Sequence, residues 1–235
     1  VTITYSNLTR AAGVSAVASG LLYIVIQPIH PEEAVAAVTG TSWAVVAWMT
    51  NAMAILGLVG ITGIYLRQVR ESGVLGLIGY LMFGTFYLLV IAHSFAEALI
   101  LPPLADVSPR FVDSFNGIFS GEPGTMDLGA IEAANPIAAV LYLVGGSLFG
   151  LSVFRARVLD RRAGLALTVG ALAAVLAAVL PHDIGRYAAV PLGLAMIWLG
   201  YSLWCVDGKT SVTDGGAIPD ARHGGSQLTP SADRS

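Results

Sequence analysis

Charge is scarce in this chain. Of its 235 residues only 11% are Asp, Glu, Lys or Arg, where a soluble domain carries roughly a quarter. That deficit excludes an ordinary water-exposed surface. With 12 basic against 15 acidic residues, it also excludes the basic footprint of a nucleic-acid partner. Cysteine is nearly missing too: Cys205 stands alone, so one chain can build no disulfide framework, no CxxC redox pair and no cysteine-rich metal site. The apolar runs lack the polar/apolar alternation of a membrane β-barrel.

What is present is apolar surface in long uninterrupted stretches. Hydrophobic residues make up 55% of the chain and mean hydropathy is +0.74. Crossing about 30 Å of hydrocarbon takes roughly 17 to 25 helical residues. Six stretches qualify: Ala11 to Ile29, Ser42 to Leu66, Gly73 to Leu101, Pro136 to Phe154, Ala163 to Pro181 and Tyr187 to Cys205. Lipid-exposed backbone must satisfy its hydrogen bonds within its own segment, so the expected fold class is all-α: a polytopic membrane domain of six transmembrane helices over residues 1–205. The first stretch reads as a retained span, because QPIHP at its end offers no good cleavage site. The remainder, 206–235, is rich in Gly, Ser, Asp and Pro with no apolar period, and reads as a disordered cytoplasmic tail.

Lys and Arg sort by span end. Arg10, Arg67, Arg70, Arg155, Arg157, Arg161, Arg162 and Lys209 fall at one set of ends, and only Arg110 and Arg186 at the other. Excess basic charge marks the cytoplasmic side, which predicts a multi-pass protein of a bacterial plasma membrane with both termini inside. The longest connection, Pro102 to Asn135, joins the third and fourth spans on the outer side. Its FVDSFNGIF stretch sets Phe111, Phe115 and Ile118 on one helical face; it reads either as a surface-packed loop or as a lid over an outward-facing cavity.

A few polar residues remain inside or at the ends of the spans, where ionisable groups are costly and face protein or water-filled cavities. His93 and Glu97 share one face of the third span, roughly 12 Å and 6 Å below its outer end at 1.5 Å per residue. Gln27 and His30 end the first span, Asn51 lies at a similar depth in the second, His182 and Asp183 end the fifth, and Arg186 opens the sixth.

These residues form one polar layer, for which three readings stand. A transition-metal or haem site would take His93 and one or both of His30 and His182 as nitrogen donors, with Glu97 or Asp183 as an oxygen donor or a partner holding a ligand in place, and Asn51, Gln27 and Arg186 would line the pocket. A membrane-embedded enzyme would use Glu97 and His93 for acid/base chemistry on a lipid-like substrate. An accessory subunit would hold no site, its histidine and glutamate pairing with each other or facing a membrane protein partner. Partners are therefore the bilayer with either a small hydrophobic ligand or another membrane protein.

Glycines at 57, 60 and 63, at 145, 146 and 150, and at 193 and 200 predict close helix contacts. Trp43, Trp48, Trp198 and Trp204 fall near span ends, as interfacial anchors do. Tyr80, Phe83 and Tyr87 form a one-face stripe, read as an aromatic core seam in preference to a pigment or quinone cavity.

The stretch LYLVGGSLFGLSVFRARVLDRRAGLALTVGALAAVLAAVLP, followed by PLGLAMIWLGYSLW, resembles the small multi-span bacterial proteins grouped as DUF4386-like, over Ala138 to Trp204 and more loosely in the first span. The resemblance implies a six- or seven-span inner-membrane protein and carries over no catalytic residue. The histidine and glutamate four apart also resemble the pair in the sterol-isomerase branch of the EXPERA family, but that family's further acidic residue on another span has no match here.

Overall fold

The computed structural model describes residues 4–120, 124–177 and 186–213. Among them every regular element is helical, with no strand. The long helices are α1 (Tyr5–Ile29), α2 (Thr41–Arg67) and α3 (Val69–Leu99). A short α4 (Leu101–Leu104) and the amphipathic α5 (Pro109–Ser120) follow. A helical run over Gly129–Ala156 contains α6 (Ala134–Val140), a π-helical turn (Leu141–Gly145) and α7 (Gly146–Ala156). Then come α8 (Arg161–Ala177) and α9 (Val190–Thr213).

Five of these segments are long and apolar enough to cross a membrane: Tyr5–Ile29, Thr41–Arg67, Val69–Leu99, Gly129–Ala156 and Tyr187–Cys205. The chain is thus built as an integral membrane protein. The expected fifth span corresponds to α8, which has 17 described residues; its end toward Pro181 lies outside the described residues. Several boundaries shift by a few residues, the first span starting at Tyr5 and the fourth covering Gly129–Ala156, and two of the shifts have a plain cause in the sequence. The third span closes at Leu99 rather than Leu101, because Pro102 and Pro103 start the separate turn of α4. Helix α9 continues to Thr213, past the expected end at Cys205, since no proline and only one glycine interrupts 206–213; the tail beyond lies outside the described residues.

Each long segment packs antiparallel against the next. Ser19 of α1 donates to Met53 O of α2 at 2.9 Å, and a methyl on Gly60 would meet Ala16. Asn51 of α2 meets Ile91 and Ser94 of α3, while Thr62 meets Tyr80. Along α3, Gly79 abuts Phe149 and Phe83 abuts Gly145. Gly150 of α7 lies on Gly164 and Thr168 of α8, and the backbone N–H of Asp160, just before α8, donates to Ser202 Oγ of α9 at 2.9 Å. The ring closes where α9 returns to α1. A methyl on Gly13 would come within 2.9 Å of Gly200 O, and one on Gly193 within 2.9 Å of Gly20 O.

The bundle interior is apolar and aromatic, with Ile61, Phe83, Tyr87, Phe149, Met196 and Leu199 all fully buried. Phe83 and Tyr87 sit tilted at 5.0 Å, as a core seam. Tight turns at Gln68 and at 157–160 lie at one end of the bundle, the turn end. Arg157 there takes φ 58, and Gly73 takes φ 56 one turn into α3, a left-handed conformation that favours glycine. The opposite, loop end carries the 30–40 and 100–133 connections.

Candidate functional site

The loop end is where the polar layer gathers. On α3 the i, i+4 spacing brings His93 Nε2 to 3.3 Å from Glu97 Oε1, with side chains 19% and 17% exposed. The two side chains are thus within ion-pair reach, the ring being charged only when protonated. The flat face of His93 stacks on Phe115 of α5, ring centroids 5.1 Å apart and planes 10° apart. The amphipathic segment expected between the third and fourth spans is therefore a helix lying against the histidine.

Glu97 also faces α1 and α2. Together with His30, Pro31, Trp43, Val46 and Ala47 it lines a recess of about 170 Å³ measured to its open mouth, with room for about one water molecule. Trp43 Nε1 donates to Glu97 O at 3.0 Å, clamping the first turn of α2 to the last of α3. The indole is 3% exposed, so Trp43 is a buried structural donor and not the interfacial anchor expected of it. The other three tryptophans are half-exposed, as anchors are. His30 Nδ1 lies 3.0 Å from Pro31 O; a carbonyl must accept, so the proton sits on Nδ1 and the neutral ring's lone pair on Nε2.

One turn deeper, Asn51 Nδ2 donates to Ile91 O and to Ser94 Oγ, both at 3.1 Å. Ser94 Oγ passes the chain on to Val90 O at 2.8 Å. Asn51 and Ser94 are both buried, and they join α2 to α3 beneath the recess without lining it.

The expected site residues are thus partly brought together. His93 pairs with Glu97, and Glu97 shares a recess with His30. Asn51 sits below, and Gln27 turns back on its own helix, donating to Tyr23 O at 2.8 Å. Arg186 begins the short Arg186–Ala189 turn ahead of α9; His182 and Asp183 lie outside the described residues. Among the described residues no group of three His, Cys, Asp or Glu side chains is close enough to hold a metal ion, so the described part of the expected donor set is not preassembled.

Sequence reasoning missed Trp43, Ser94 and the contact of Phe115 with His93. The apolar face of α5 signalled that Phe115 would be buried but not what it would bury; Ser94 had a signal only as a neighbour of His93. Comparison of the chain with family models, with curated proteins and with solved structures returns no match.

Proposed function

We propose that this chain is a six-span protein of a bacterial plasma membrane, termini cytoplasmic, that binds a small transition-metal cation at its outward loop end through Glu97, His93 and His30. Two observations support the topology. The first and last helices run antiparallel, as an even number of crossings requires, and α8 fills the remaining place between two antiparallel neighbours. Arg67, Arg70, Arg155, Arg157, Arg161 and Arg162 gather at the turn end, where cytoplasmic basic residues belong.

The observation that carries the ligand reading is that Glu97 lines one recess with His30 while its Oε1 lies 3.3 Å from His93 Nε2. A carboxylate at this depth is expensive unless it serves a partner. Imidazole nitrogen with carboxylate oxygen is a zinc-type donor set. Rotation of the His30 side chain into the recess, or a donor from His182 or Asp183, completes the coordination. Room for about one water suits an ion better than haem or a lipid-like substrate, so neither the haem site nor the lipid enzyme finds support there.

A second reading, the accessory subunit with no site, is favoured by the contacts of His93 with Glu97 and with Phe115, which are those of a structural pin. Metal analysis and a visible spectrum of detergent-purified protein incubated with Zn²⁺ decide between them. The expected result is stoichiometric zinc in the wild type, loss of it in His93→Ala and Glu97→Gln, and no Soret band. Wild-type protein without stoichiometric metal sinks the cation reading and leaves the pin.

A further inference from the structure

The turn end carries more positive charge than it balances. In and beside its two tight turns stand Arg67, Arg70, Arg155, Arg157, Arg161 and Arg162, with only Glu71 and Asp160 as acids over 67–71 and 155–162. Asp160 is already engaged: its Oδ1 accepts from the backbone N–H of Arg162 at 2.8 Å, capping the start of α8. Among the described residues no ion pair joins any of the six guanidinium groups to a carboxylate. Arg67 is half-buried and the other five are exposed.

Packing brings these arginines to one place. A methyl on Gly76 would come within 3.3 Å of Ser152 Oγ, so α3 begins where α7 ends. Gly164 abuts the backbone of Phe154, which sets the start of α8 against the same end of α7, and the Arg161 guanidinium lies over the Phe154 ring at 4.4 Å. Two further features put the charge at headgroup depth. Trp204, half-exposed as an interfacial anchor, stands two residues beyond Ser202, whose Oγ accepts from Asp160 N–H. Leu66, Val69, Leu151 and Leu165, each within four residues of one of these arginines, are exposed as lipid-facing side chains are.

We propose that the turn end is a docking surface for anionic phospholipid, its arginines bridging headgroup phosphates while the acyl chains lie along the exposed leucines and valine. Guanidinium forks meet phosphate oxygens two at a time, and an anionic leaflet attracts each basic side chain close to it. Orientation in the membrane needs only positive charge, from lysine as well as arginine; Lys209 is the chain's only lysine, and the fork is what a phosphate selects. A soluble anion would use the charge but not the apolar flank beside it. The inference goes beyond the cation reading of the loop end and does not depend on it.

Titration of the detergent-solubilised full chain with phosphatidylglycerol, with phosphatidylcholine of equal chain length and with inorganic phosphate tests it, binding being read by native mass spectrometry and by melting temperature. The expected outcome is phosphatidylglycerol bound about tenfold or more tightly than phosphatidylcholine, with a higher melting temperature, and no rise with inorganic phosphate. The double variant Arg155→Gln/Arg162→Gln should lose about fivefold in phosphatidylglycerol affinity for each arginine removed, the worth of one basic side chain near an anionic surface, while Arg110→Gln at the loop end should bind as wild type does. Equal binding of the two lipids, inorganic phosphate bound as tightly as phosphatidylglycerol, an equal loss in Arg110→Gln, or wild-type affinity in the folded double variant each overturns the inference. If the double variant fails to fold, the wild-type comparison of the two lipids decides. No zinc is present in these titrations, so their failure leaves the cation reading standing.

Discussion

The two ends of the bundle are held by different chemistry. In the middle and toward the turn end, helices meet backbone to backbone through glycine: Gly13 on Gly200, Gly20 on Gly193, Gly60 on Ala16, Gly79 on Phe149, Gly150 on Gly164. At the loop end the last turns of α1 and α3 and the first turns of α2 contain no glycine: 21–29, 85–99 and 41–56 are free of it. There the helices stand far enough apart for side chains to reach across, Trp43 to Glu97 O and Asn51 to Ile91 O. Glycine contact maximises van der Waals packing, which drives helix association in lipid, but leaves no volume for a ligand. Side-chain bridges leave a recess and can be rearranged, so the site lies where the seam is open.

Substitutions can break or sharpen that contrast. The largest effect is expected in the glycine seam: Gly20→Leu drives a branched side chain into Gly193 O and Ile197, and should cost on the order of 3 kcal/mol or prevent folding, read as loss of the monodisperse peak in size-exclusion chromatography. A folded, fully stable Gly20→Leu protein would mean that the seam does not close the bundle.

At the loop end the same kind of insult should be milder. Asn51→Leu removes the two hydrogen bonds that Asn51 makes to α3 while Ser94 keeps its bond to Val90 O; the expected loss is about 1 kcal/mol, in line with polar bridges between membrane helices, measured by denaturant titration in detergent.

The smallest change, and of opposite sign, belongs to the turn end. Gln68 is fully buried and neither amide atom has a partner among the described residues. Gln68→Leu should raise stability by up to about 1 kcal/mol by removing that unmet amide.

Much of the bundle was legible in the chain. The second span, expected over 42–66, forms as Thr41–Arg67, because a long apolar run in lipid has few options besides a helix. The glycines expected at helix contacts are at contacts, and a buried face on α5 follows from its 3.6-residue period. The site was legible only in part. His93 and Glu97 meet by their spacing alone, whereas the recess shared by Glu97 and His30 joins residues 67 positions apart on different helices.

Trp43 shows where sequence reading stops. Its place near a span end is what an interfacial anchor would have, and a rotation of about 100° per residue around the helix decides whether such a residue faces lipid or protein. That rotation is set by the neighbouring helices, through the glycine contacts of α1 with α2 and α9 and the side-chain bridges of α2 to α3. By itself the sequence determined the membrane class, the helical spans and the intrahelical pair, all of which depend on residues within a few turns of one another. Only the tertiary structure decided that Glu97 opens toward His30, that α5 lies on His93 and that Trp43 points inward, because each depends on how one helix is turned against another.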